Sequence, residues 1–177
     1  MKKVITPTDT EVFFQEHDLI VSKTDLKGRI TYANQTFCRI AGYSEAELLG
    51  QPHSIIRHPD MPRAVFKLLW DTIMEGREIF AYVKNMAKTG NYYWVFAHVT
   101  PSFDKNRNII GFHSNRRVPD PTVVANTIVP LYAAVLREER QHQNGQKALA
   151  AGFDFLVSFL KSRNVTYDAL IFSLCQS

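Results

Sequence analysis

Cysteine is scarce in this chain of 177 residues: Cys38 and Cys175 are the only two, far apart and without CxxC spacing. Their spacing argues against a disulfide framework, a redox dithiol or a cysteine zinc site, and fits a reducing compartment. Long apolar runs are missing as well. None reaches the roughly 18 residues that a membrane span requires, and the opening MKKVITPTDTEVFF puts polar residues and proline where a secretory signal has its apolar stretch. A cytoplasmic protein away from the bilayer is therefore expected. The formal net charge is +4, but the basic residues are scattered with no run beyond Arg116-Arg117, which gives little ground for nucleic-acid binding. No nucleophile, metal-binding or phosphate-loop motif occurs, so no enzyme is expected. What is there, 45% hydrophobic and 21% charged residues, is a globular composition sufficient for one core and a small appendage.

The densest polar chemistry lies in GQPHSIIRHPDMP, from Gly50 to Pro62. Pro52, Pro59 and Pro62 each fix φ and restrict the preceding residue, so the loop is stiff. Arg57 offers a planar donor fork for phosphate or carboxylate, His58 can donate or accept, and Asp60 can orient either or cap the helix opening at Pro62. The plain alternative is a surface Arg57–Asp60 pair with Asp60 as the helix cap.

Around that loop the elements follow from periodicity. Leu19 to Thr24 and Arg29 to Ala33 are β-branched runs joined by DLKG, a hairpin whose Gly28 supplies the positive φ of the turn. Asn34 caps a short helix that Gly42 ends, and Ser44 with Glu47 forms a capping box for a second. From Pro62 to about Glu75 a helix turns Val65, Phe66, Leu69, Trp70 and Ile73 to one side. Trp70, at the edge of that face, is either a core indole or a ligand contact. Glu78 to Met86 alternates so that Asn85 ends the row Ile79, Ala81, Val83. There it either serves a heterocycle that has adjacent donor and acceptor, or turns out to the following AKTG turn.

Asn91 to Thr100 is a strand apolar on both faces, so its second face needs a cover, either another element or a second subunit. A turn is expected from Pro101 to Arg107. Ile109 to Arg116 is then the last strand, with Gly111 leaving room for a close approach. Past Val118-Pro119-Asp120-Pro121 the pattern becomes helical. Pro130 should kink or divide the first helix, Gly145 to Arg163 should bury Leu149, Phe153, Leu156, Val157 and Leu160, and Thr166 caps a last short helix.

Hairpin, short helices, one longer helix and three wide antiparallel strands, in that order, resemble a PAS domain from about Val12 to Val118. DLKGRITYANQTFCRIAGYSEAELLGQP resembles the PAS opening and WVFAHVTPSFDKNRNIIGFHSNRR its closing strands. GQPHSIIRHPDMPRAVFKLLW followed by VKNMAKTGNYYWV is similar to the sensor domain of aerotaxis receptors. The resemblance implies an α+β PAS fold, a five-stranded antiparallel sheet with short helices on one face, over residues 1–118, followed by a C-terminal helical extension over 119–177. It also implies a signal-transduction sensor that binds FAD without covalent attachment and reports redox state or oxygen. Carried over by motif, the implied flavin-site residues are Asn34, Arg57, His58, Asp60, Trp70 and Asn85. Haem b is the second cofactor reading, with His53, His58, His98 and His113 as available ligands, and a cofactor-free docking module is the third. Implied partners are signalling proteins met through the sheet and C-terminal helices, or a second copy of the chain. Blue-light adduct chemistry is not expected, since no NCRFL segment occurs.

Overall fold

A computed structural model describes residues 5–175. Five antiparallel strands lie in the order β2-β1-β5-β4-β3. β1 (Ile20–Thr24) and β2 (Ile30–Ala33) form the expected hairpin. Asp25 closes it by accepting from the N–H groups of Lys27 and Arg29, and Gly28 takes φ +73. β3 (Ile79–Met86), β4 (Tyr92–Phe103) and β5 (Ile109–Arg117) supply the wide part of the sheet. This is the PAS fold, with C-terminal helices added.

β4 runs through Pro101, where a turn was expected. Its ladder to β3 ends at Val99 while β5 continues alongside to Phe103. A residue without an N–H is tolerated where one edge of a strand is free. The turn is confined to the residues after Phe103, with Arg107 at φ 65.

On one face of the sheet lie α1 (Gln35–Ala41), α2 (Glu45–Leu48), a 3₁₀ turn (His53–Ile56) and α3 (Arg63–Met74). The caps are those read from the sequence: Asn34 accepts from the Phe37 N–H, Gly42 ends α1 in the left-handed region, and Ser44 and Glu47 form a complete capping box. Asp60, however, does not cap α3. Pro62 stands at its N-cap without a side-chain acceptor, and the carboxylate serving that turn belongs to Glu139. A side chain 76 residues downstream has no local signature.

The second face of the sheet is covered by the chain's own C-terminus. Asp120 caps α4 (Pro121–Val123), which passes through a π-helical stretch, Val124–Ile128, into α5 (Val129–Arg140). The widened turn precedes Pro130, which has no N–H for the carbonyl one turn back and whose ring crowds it. Tyr132 of α5 donates to the Tyr82 carbonyl at 2.7 Å, and its ring lies 6.2 Å from Trp94. α7 (Tyr167–Leu174) brings Phe172 against Phe80. Between them, α6 (Gly145–Ser162) buries Ala148, Gly152, Leu156 and Leu160, a four-residue stripe. The expected Leu149, Phe153 and Val157 are only half-buried beside it. Small residues at 148 and 152 let α6 approach closely, which the hydrophobic pattern alone does not register.

Gly111 is where β5 meets the end of β1: a Cβ there would lie 2.4 Å from the Thr24 carbonyl oxygen. Gly111→Ala should force backbone apart within the sheet and cost about 1–3 kcal/mol. Urea unfolding checks this, and unchanged stability would mean that the hairpin is not held so tightly against β5.

Candidate functional site

The polar loop is stapled at both ends. At its start the Ile30 N–H donates to the Gln51 carbonyl and the His53 N–H to the Gly28 carbonyl; at its far end Arg57 forms a backbone bridge with Asn85 of β3. The segment therefore spans the sheet from the β2 side to the β3 edge. Ile56 and Met61 are buried and anchor it. Between loop, sheet and α3 lies a cavity of about 530 Å³, well inside the range of small-molecule sites.

One wall of the cavity is the inner face of the sheet, where Val83, Ala97, Val99 and Phe112 stand. The other is α3, with Phe66, Leu69, Trp70 and Ile73. Trp70 meets Phe112 edge-on at 5.4 Å, and Gly28 lies so close to its ring that a Cβ would be 2.9 Å from Cζ2. Trp70 thus both packs and borders the cavity. Every charged residue on the lining is a cation: Lys27, Arg57, Arg63 and Lys67, and deeper in, Arg116.

Arg116 is the residue that the sequence reading passed over. It is 2% exposed and, among the described residues, has no carboxylate partner. Nη2 donates to Ser22 Oγ at 2.7 Å and Nη1 to His53 Nε2 at 3.4 Å, the guanidinium lies over the Phe37 ring, and Nε finds no partner among the described residues. Burial holds its pKa down to about 10, which still leaves it charged. The Ser22 hydroxyl, accepting from Arg116, can donate to His53 Nε2 at 3.1 Å. An Nε2 that accepts carries no proton, so His53 is neutral. Burial, then the nearby Arg116 charge, pushes its pKa down to about 3. The signal for Arg116 was present in the alternation of β5, which puts it on the same face as Phe112 and Ser114. As half of an Arg-Arg pair at a strand end it resembles surface charge.

Asn85 is 3% exposed, sits on the cavity wall and has an Nδ2 without a partner among the described residues. The reading in which it turns out to the AKTG turn is thereby excluded. Arg57 also reaches the lining, its guanidinium 4.5 Å over Phe66 and donating to the Met61 carbonyl at 3.2 Å. It forms no surface pair with Asp60.

Asn34, His58 and Asp60 lie off the lining. Asn34 Oδ1 accepts from the N–H groups of Val21 and Phe37 while Nδ2 donates to the Leu19 carbonyl, tying hairpin to helix. His58 is buried with Nδ1 accepting from the Asp60 N–H, and its ring meets Tyr92 edge-on. Asp60 pairs with Lys84 at 2.9 Å. These residues shape the loop rather than face the cavity. Of the four histidines weighed as haem ligands, His53 alone is on the lining, and its Nε2 is engaged; His98 stacks on Phe80 of the covered face and pairs with Glu78. Among the described residues no cluster of His, Cys, Asp and Glu is placed to hold a metal, and no helix is long and apolar enough to cross a membrane.

Comparison with known proteins agrees with the fold. The PAS fold family matches residues 30–116. The aerotaxis receptor of Escherichia coli K12 is 43% identical over 117 residues, 66% of this chain and 22% of the receptor. The nitrogen fixation regulatory protein of Klebsiella pneumoniae is 33% identical over 87 residues, 49% of this chain and 18% of that protein. The chain thus spans about a fifth of the length of these relatives. A light-oxygen-voltage domain solved in work on a flavin analogue superimposes with a TM-score of 0.54 at 18% identity, covering 70% of this chain and 87% of that one.

Because His53 is neutral in the fold and has an ordinary pKa near 6.5 once unfolded, its contribution is complete above that pH and is lost as pH falls toward 3. His58, also held down by burial, acts in the same direction. Between pH 6.5 and 5 the His53 contribution should fall by about 2 kcal/mol. His53→Gln, which keeps an acceptor for Arg116, should flatten the profile by that amount in urea unfolding; parallel profiles would show that His53 is not buried neutral.

Proposed function

The chain carries a PAS sensor domain similar to that of an aerotaxis receptor, and from that premise we propose that it is a signal-transduction sensor that binds a flavin, FAD by family resemblance, in the cavity between sheet and α3. The observation that carries this reading is the pairing of a largely apolar cavity with two buried donors on its lining, Asn85 Nδ2 and Arg116 Nε, that no group among the described residues satisfies. A buried polar group without a partner costs about 1–3 kcal/mol, more for a charged one. A flavin pyrimidine edge, with ring carbonyls on either side of an N–H, is a chemical match for donors of this kind.

The residues divide the work. Asn85 holds a ring carbonyl through Nδ2. Arg116 keeps a fixed positive charge at the sheet wall, with Ser22 and neutral His53 orienting its Nη groups while Nε stays free for the ligand. Phe66, Leu69 and Trp70 exclude water on the helix side. Lys27, Arg57, Arg63 and Lys67 give an anionic tail a cationic rim. A bound flavin supplies a ring whose charge depends on its redox state, and Arg116 is the group positioned to make that charge matter. Signalling then proceeds through protein contacts of the sheet and C-terminal helices.

Asn85→Ala should lower flavin affinity by about tenfold or more, read by quenching of flavin fluorescence on titration with FAD, FMN and riboflavin. Arg116→Met should move two quantities in opposite senses. It should weaken flavin binding and raise the stability of the ligand-free protein by about 1 kcal/mol or more, because a buried unpaired charge is removed. Undiminished binding by both folded variants would remove Asn85 and Arg116 from the flavin site, and absence of binding to the wild type would remove the flavin reading.

A further inference from the structure

The C-terminal helices are held by contacts of two kinds. α5 and α7 rest on the sheet through the Tyr132 hydroxyl on the Tyr82 carbonyl, the Tyr132 ring beside Trp94, and Phe172 against Phe80. The first half of α6 and the end of α5 meet α3 instead through polar groups. Glu139, in the last turn of α5 and 6% exposed, accepts from the Ala64 N–H through Oε1 at 2.8 Å and from the Arg63 N–H through Oε2 at 3.1 Å. Arg63 Nη1 donates to the Gly145 carbonyl at 2.9 Å, and Lys67 Nζ stands 5.0 Å over the Phe153 ring.

The fit around Glu139 is close. Pro62 leaves the first N–H groups of α3 without a local acceptor, and a helix start exposes four such donors. Glu139 reaches two of them because Gly152 of α6 has no side chain: a Cβ there would be 2.5 Å from Glu139 Cγ. One turn before Gly152, Leu149 reaches the cavity lining, where Arg63 and Lys67 also stand. The helix that carries two of the rim cations, Arg63 and Lys67, is therefore fixed, at its first turn, by a carboxylate from the C-terminal helices.

We propose that Glu139 is a positioning residue for the cavity: a catch that fastens α6 to the first turn of α3, so that docking of α6 and filling of the cavity favour each other. The coupling rests on the reading of the cavity as a ligand site; the catch does not. A ligand that touches both Leu149 and the α3 rim gains its full contacts only while α6 is docked. By linkage, docking and binding then strengthen each other by the same factor. Polar contacts of this kind, beside the exposed residues 145–147, make the first turn of α6 the part of the extension that opens at lowest cost.

Amide hydrogen exchange on the full chain tests both parts, in wild type, Glu139→Ala, Glu139→Gln and Gly152→Ala, with and without FMN. Without ligand, Glu139→Ala should speed exchange across residues 145–153 and at the Arg63 and Ala64 amides by about tenfold to a hundredfold, leaving β4 and β5 protected. Glu139→Gln, which keeps a carbonyl acceptor, should recover much of the protection. Gly152→Ala should release the same amides even though alanine favours helix, and it carries the test if Glu139→Ala fails to fold. FMN should slow exchange of 145–153 in wild type and bind the Gly152→Ala variant about tenfold more weakly. Unchanged exchange over 145–153 in the folded variants overturns the catch, whether or not flavin binds. Flavin binding that leaves α6 exchange untouched overturns the coupling. Absence of flavin binding to wild type overturns the proposed function, while the ligand-free comparison still decides the catch.

Discussion

A guanidinium buried without a carboxylate is the constraint around which the domain is arranged. Removing a charge from water costs several kcal/mol even after relaxation, and proteins usually offset it with an opposite charge. Around Arg116 the described residues offer neutral groups: the Ser22 hydroxyl, an unprotonated His53 nitrogen and the face of Phe37. His53 has to stay neutral for the arrangement to hold, since a second cation at that distance would repel the first. Arg116 stands on the cavity lining. A fold that placed this residue on the sheet merely to pack would have found a less costly one.

The rest of the architecture keeps that cavity open and defined. The proline-rich loop is pinned to β2 at one end and to β3 at the other, so the cavity margin does not depend on loose chain. α3 supplies the opposite wall, and its position is set from outside the PAS core by Glu139. The outer face of β3 and β4, as apolar as the inner, is covered by α5 and α7 of the same chain. The two faces of the sheet thus differ, with the cavity on one and helices α5 and α7 on the other. α3 and β3 touch both.

Much of this was legible in the residues because it depends on local chemistry. The DLKG turn, the Ser44–Glu47 capping box, the Asn34 and Thr166 caps and the two-residue alternation of β3 each follow from neighbours within a few positions. That alternation put Asn85 at the end of the inward row but left open whether it turned out to the AKTG turn, which its burial on the cavity wall decides. Long-range partnerships were not legible. Asn34 looked available as a ligand contact until Leu19 and Val21 claimed both ends of its amide. His58 and Asp60 carry the chemistry of a binding motif, yet their partners, the Asp60 N–H and Lys84, turn them into the loop's outer corner. Arg116 and Glu139 were missed because burial decides their roles, and burial of a charge is what composition argues against.

The most direct test of the account is the nitrogen and proton shifts of the Asn85 side-chain amide and the Arg116 Nε–H in isotopically labelled protein, followed as riboflavin is added. The account predicts that both signals, unpartnered in the free protein, move together and saturate with one ligand per chain. Riboflavin that binds while both signals stay where they were would contradict it, as would riboflavin that fails to bind at all.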